Sequence, residues 1–253
     1  SGARVYFVEN HNLPMLDVAV IFAAGSGHDT PEKSGLAVLT HGLLDLGSEG
    51  LSEDEIARRI ADIGAQLGGS FDADRASVSL RTLSSKTERD SALDIMAGVL
   101  QRPVFPAPVL AREKTRLIAG LKEAETMPES IADKAFNKAV FGAHPYGFPG
   151  AGEVATVEML QRADLEAFYR AHYTADNAVV AIMGDVTRQE AEAMAQHLTG
   201  KLPQGGSRSP IPPVVMKIAA SETRIAHPAA QSHILMGAPG MARKDPDYFA
   251  LFV

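Results

Sequence analysis

The sequence predicts an α+β fold in which a mostly antiparallel sheet is flanked by helices. Three observations carry that prediction. Short runs rich in β-branched residues come in pairs, the apolar period switches to helical spacing after Gly25-Ser-Gly27, and strand pairs are followed by runs of helix.

Taken in order, Arg4–Glu9 and Met15–Ala24 read as strands, joined through His11-Asn-Leu-Pro14, which carries turn chemistry. From Gly35 to Leu46, the residues Leu36, Leu39, Leu43 and Leu46 fall on one helical stripe. Ser52-Glu-Asp-Glu55 is a capping box that opens a helix through Ile63, and Gly64 ends it. The alternating runs Gln66–Ala73 and Arg75–Leu83 predict a hairpin turning near Asp72-Ala-Asp74, with Gly68-Gly69 marking a bulge or a close backbone approach. Helical patterns then occupy Thr87–Leu100, Pro108–Glu125 and Pro128–Phe141, interrupted by the loop His144-Pro-Tyr-Gly-Phe-Pro-Gly150. A helix over Val157–Tyr173, a buried strand over Asn177–Gly184 and a helix over Thr187–Leu198 complete a first domain, residues 1–204. Residues 205–213, rich in Gly, Ser and Pro, read as a linker. Residues 214–253 then show two strand-like runs, Val214–Ala219 and His233–Gly237, and a helix start at Asp247–Val253. So few elements cannot bury a core, so they are expected to begin a second domain.

Composition narrows the function classes. Hydrophobic residues make up 45% and charged residues 22%, an ordinary globular balance. The net charge of −7 disfavours nucleic acid and anionic membranes, which attract basic faces. With no cysteine, the chain has no disulfide, thiolate zinc site or cysteine nucleophile. Its longest apolar run, Val18–Ala24, is too short to span a bilayer.

Several landmarks together resemble the N-terminal half of a subunit of the pitrilysin, insulinase and mitochondrial-processing-peptidase family of zinc peptidases. They are Ser1-Gly-Ala-Arg-Val5, Phe22-Ala-Ala-Gly-Ser26 followed by Gly35-Leu-Ala37, His144-Pro-Tyr-Gly147, Phe168-Tyr-Arg-Ala-His-Tyr173, Gly184-Asp185 and Asp245-Pro-Asp-Tyr248. The resemblance implies two similar α+β domains, the first complete over 1–204 and the second begun at 214.

In active relatives the helix after Gly-Leu-Ala carries H-x-x-E-H, whose spacing puts two His ligands and a general-base Glu on one helical face. Here those five positions read Val38-Leu-Thr-His-Gly42. Val38 and Gly42 stand where the His ligands would be, and His41 where the Glu would be. On the later ligand helix Gly120 stands at the ligand position, and Glu123 and Glu125 match the acidic residues that accompany it, as candidate cleft-lining groups. The resemblance therefore implies a degenerate site at Val38, His41, Gly42 and Gly120, with no catalytic residue and no metal ligand on this chain.

The implied role is that of an inactive subunit pairing with a zinc-bearing homologous subunit to enclose a peptide or small unfolded protein. Zinc is expected only on that partner, and exported bacterial relatives imply a periplasmic location, with a cytoplasmic one as the alternative. Two further readings stand beside this one. One is a stand-alone peptide-binding or scaffold protein. The other is a metallopeptidase with a rescued site drawn from the dispersed His28, His41, His144 and His172.

Overall fold

The computed structural model describes residues 1–205, 210–215, 219–238 and 240–252. Its strands are β1 (Arg4–Glu9), β2 (Met15–Phe22), β3 (Gly47–Ser48), β4 (Leu51–Ser52), β5 (Gln66–Phe71), β6 (Ala76–Leu83) and β7 (Val179–Gly184). Five of them form one sheet in the order β1-β7-β2-β6-β5, while β3 and β4 make a small hairpin of their own.

β2 is the spine of that sheet. Leu16, Val18, Val20 and Phe22 are buried, while Met15, Asp17, Ala19 and Ile21 alternate to the other face, half-buried. A period of two is what a strand with one covered face requires. β2 pairs antiparallel with β6 on one side and with β7 on the other. The sheet is nevertheless mixed, because β1 runs parallel to β7 with Arg4 opposite Val179. On the open face Asp17 stands across from Arg81 and accepts two guanidinium hydrogen bonds, at 2.7 and 3.1 Å.

The helices are α1 (Leu36–Gly42), α2 (Glu53–Asp62), α3 (Lys86–Gln101), α4 (Ala107–Ala124), α5 (Pro128–Phe141), α6 (Val154–Met159), α7 (Arg162–His172), α8 (Arg188–Thr199) and α9 (Tyr248–Phe252). α3 packs on β6 and on α8, α8 on β1, and α1 on α7, so the core lies between the sheet and this layer. Phe22 and Tyr173, both fully buried with ring centroids 4.9 Å apart, tie the end of β2 to the end of α7. The capping box of α2 forms as expected: the Ser52 hydroxyl accepts from the Glu55 N–H and the Glu55 carboxylate from the Ser52 N–H.

Two helices differ from expectation in extent, while the hairpin does not. α1 stops at Gly42 rather than Leu46. The single helix expected over Val157–Tyr173 is two, broken at Leu160, because the Gln161 N–H donates to the Asp164 carboxylate at 2.8 Å and starts a new N-terminus. The hairpin turns where expected, on Asp72, whose carboxylate accepts from the N–H groups of Asp74 and Arg75 at 2.8 and 2.7 Å.

The C-terminal segment departs furthest. His233–Gly237 forms no strand, with Ile234 81% and Met236 90% exposed. Among the described residues it has no neighbouring strand to take its backbone hydrogen bonds, and a short apolar run alone does not supply one. Residues 206–209 of the expected linker, Met216–Ile218 of the expected strand Val214–Ala219, and Val253 of the expected helix lie outside the described residues.

Gly69 is the close approach expected from the sequence. A Cβ there would lie 1.9 Å from the Ser77 carbonyl oxygen. Gly69→Ala must therefore push β5 off β6, and thermal or urea unfolding should show a loss of about 2–3 kcal/mol. An unchanged midpoint would mean that the edge strand yields freely.

Candidate functional site

The site is built on the approach to α1. The hairpin tip between β5 and β6 lies against a 3₁₀ turn at Ser26–His28, through Ser26 N–H to the Asp72 carbonyl (3.2 Å) and Gly27 N–H to the Ala73 carbonyl (2.7 Å). A Cβ at Gly25 would lie 2.4 Å from the hairpin backbone, so only glycine lets the two meet. The chain then delivers Asp29, which is 6% exposed. Its carboxylate accepts from the N–H of Gly35 and from the N–H of Ala37, each at 2.9 Å, satisfying amides that the start of α1 leaves free. Gly35 adopts φ +95°, a left-handed conformation that turns the chain into the helix.

Along α1, Leu36, Ala37, Leu39 and Thr40 are buried, Val38 is half-buried and Gly42 is exposed. The His41 ring stacks on Phe71 of the edge strand β5, with centroids 5.6 Å apart and planes at 19°. Its Cε1 lies 3.2 Å from where a Gly69 Cβ would stand. Gly69 and Phe71 share one face of β5, so the imidazole lies flat on that edge strand. Its Nδ1 is buried and has no hydrogen-bond partner among the described residues, and burial pushes the ring's pKa down.

The second half of the predicted site lies on α4. Leu110 is buried, and Leu117, Ile118 and Leu121 pack against the core, which leaves Gly120 and Glu123 exposed, along with Glu125 at the C-cap. A Cβ added at Gly120 or at Gly42 would meet nothing within 4 Å. The two carboxylates sit at the helix C-terminus, where the macrodipole disfavours them, and Lys122 is the basic residue of that last turn.

Donor chemistry decides whether a zinc ion fits. Val38, Gly42 and Gly120 offer no side-chain donor, which leaves a single imidazole laid against a phenyl ring. The residues at these four positions do not fit a zinc ligand set. Among the described residues no group of three or more His, Asp or Glu side chains is arranged to hold a metal ion.

The fold does bring together one pair that looked dispersed in sequence. His28 and His172 have ring centroids 4.6 Å apart, and the Phe168 ring lies 4.4 Å from that of His172. Burial, then the neighbouring His28, pushes His172 down to about 4, and burial also lowers His28. No spacing rule links residues 144 positions apart in sequence; only Phe168 and His172, four apart on α7, were legible as neighbours.

Two measurements test this geometry. An imidazole whose folded pKa is lowered contributes stability that is complete above its unfolded value near 6.5 and is lost as the pH falls towards about 4. Asp29, which burial raises to about 7 against the pull of its amide partners, has the opposite sign: its contribution is lost as the pH rises towards 7. Comparing wild type with His172→Gln cancels the Asp29 contribution, and the variant's stability should fall less steeply between pH 6.5 and 4; equal slopes would rule out the buried-imidazole account. In Gly120→Ala the new methyl enters open space in a helix interior, so urea denaturation should show a gain of about 0.5–1 kcal/mol. A loss would mean that the position needs glycine.

Comparison with known proteins agrees with the architecture. Residues 4–152 match the family described as insulinase (peptidase family M16), and residues 160–253 match the peptidase M16 inactive domain. An uncharacterized zinc protease of Bacillus subtilis is 25% identical over 187 residues, covering 74% of this chain and 45% of the relative. A probable mitochondrial-processing peptidase subunit beta of Arabidopsis thaliana is 25% identical over 202 residues, covering 80% of this chain and 38% of the relative. Among solved structures, a peptidase M16 inactive domain from Pseudomonas fluorescens superposes with a TM-score of 0.82 at 37% identity, over 85% of this chain and 52% of that one. The chain thus spans about half the length or less of these relatives. With one family match covering residues 4–152, more than half of its length, the chain belongs to the M16 (insulinase) peptidase family.

Proposed function

We propose that this chain is a non-catalytic M16 subunit that encloses and positions a peptide while a zinc-bearing homologous subunit performs the hydrolysis. One observation carries the reading. The apparatus that aims α1 is intact, from the Gly25 contact to the Asp29 cap, yet the positions it aims carry Val38, His41 and Gly42. General decay would not keep a buried carboxylate on a helix terminus while stripping donors from the next turn.

The neighbouring edge strand gives such a subunit something to do. Among the described residues β5 pairs only with β6, so its other edge presents backbone donors and acceptors beside His41. An extended peptide can add to such an edge by main-chain hydrogen bonds, which are indifferent to sequence. Exposed glycines at 68 and 69 keep that stretch free of side chains. Enclosure between two subunits would hold the scissile bond out of bulk water, and the partner's metal-bound water would supply the nucleophile.

The test is reconstitution with the zinc-bearing paralogue of the same organism. Alone, the protein should carry far less than one zinc per chain and cleave no peptide. On mixing, a complex should elute as one species, and peptidase activity should rise above that of the paralogue alone. Stoichiometric zinc on this chain would refute the non-catalytic part, and failure to associate would refute the subunit part.

A further inference from the structure

The segment Pro210-Ile-Pro-Pro213 falls within the expected linker, and it is held against the preceding residues. The His144 Nδ1 accepts from the Tyr146 N–H at 3.2 Å, which leaves Nε2 as the protonated nitrogen, and Nε2–H donates to the Pro212 carbonyl at 2.7 Å. His144 itself belongs to a cluster of rings, 4.7 Å from Tyr146 and 6.3 Å from Phe141, with Phe141 and Tyr146 edge to face at 5.8 Å. The Tyr146 hydroxyl donates to the Asp74 carboxylate on the hairpin tip, which fixes that ring. On the other side, Ile211 fills the space that Gly27 leaves open: its Cδ1 lies 2.5 Å from where a Cβ on Gly27 would stand.

We propose that His144, held in its ring cluster by Phe141 and Tyr146, and the seat beside Gly27 form an internal docking site for the proline-rich segment 210–213, which makes that segment a fixed strap. Sequence chemistry favours docking there. Each proline has its φ locked, and Ile211 and Pro212, each preceding a proline, are kept extended, so little conformational freedom is lost on docking. Proline contributes no N–H, so recognition must come through carbonyl oxygens and apolar ring contacts, as in aromatic grooves that take proline-rich peptides. The His144 Nε2–H meets the Pro212 carbonyl, and the seat beside Gly27 takes the apolar side chain of Ile211.

The strap touches the parts that aim the degenerate site. Ile211 abuts Gly27, which is hydrogen-bonded to the hairpin tip, and Asp29 follows two residues later. The point at which the chain leaves the first domain is thereby tied to the approach of α1.

The chain has no cysteine, so a single Val214→Cys carries one nitroxide spin label. In the otherwise native chain the label's spectrum should be that of an immobilised side chain. His144→Ala, and separately Ile211→Ser, should each shorten its rotational correlation time several-fold. A second label at Glu49→Cys, remote from the strap, should be unchanged in both variants, which excludes general unfolding. A freely mobile label at position 214 in the native background, or one indifferent to both substitutions in folded protein, would overturn the proposal.

Discussion

The carboxylate of Asp29 is the contact on which the rest of the site depends. It is buried at the mouth of α1 and accepts from two amides of the first turn, Gly35 and Ala37. A helix of seven residues has little intrinsic stability, so its direction must be set from outside. Asp29 sets it at one end, and the packing of α1 on α7 sets it along its length. Everything later in the helix, including the face that carries Val38, His41 and Gly42, inherits that direction.

The arrangement separates two things that an active metal centre combines: a scaffold that aims side chains and the side chains it aims. The scaffold costs burial of a charge-bearing group, closely packed glycines and a left-handed residue at Gly35. The side chains at the end of it contribute one imidazole stacked on Phe71. Its Nδ1 is buried without a hydrogen-bond partner among the described residues, which in a protein interior is a standing electrostatic cost. Val38, half-buried on the same helix, adds no side-chain donor.

What could be read from the sequence was local. Period-two burial along Met15–Phe22, the Ser52 capping box and the Asp72 turn each depend on residues close in the chain, and each is present in the structure. The placement of Val38, His41 and Gly42 together on one helix was legible as well, because they are contiguous in sequence. What was not legible was set by long-range geometry. The parallel pairing of β1 with β7, the meeting of His28 with His172 and the seating of Ile211 on Gly27 join segments with no shared local signal. The strand expected at His233–Gly237 failed for the converse reason: its composition suited a sheet, but among the described residues no neighbouring strand lies there to pair with it.

The open space beside Gly42 and Gly120 has an evolutionary consequence. A ligand position lost to a bulky replacement is closed off by repacking, and recovering it requires compensating changes around it. Here two positions carry the smallest residue, and among the described residues nothing lies within 4 Å of where a Cβ would stand at either one. Both positions could therefore accept a larger side chain in a single-residue step, a change of side-chain chemistry and not of architecture.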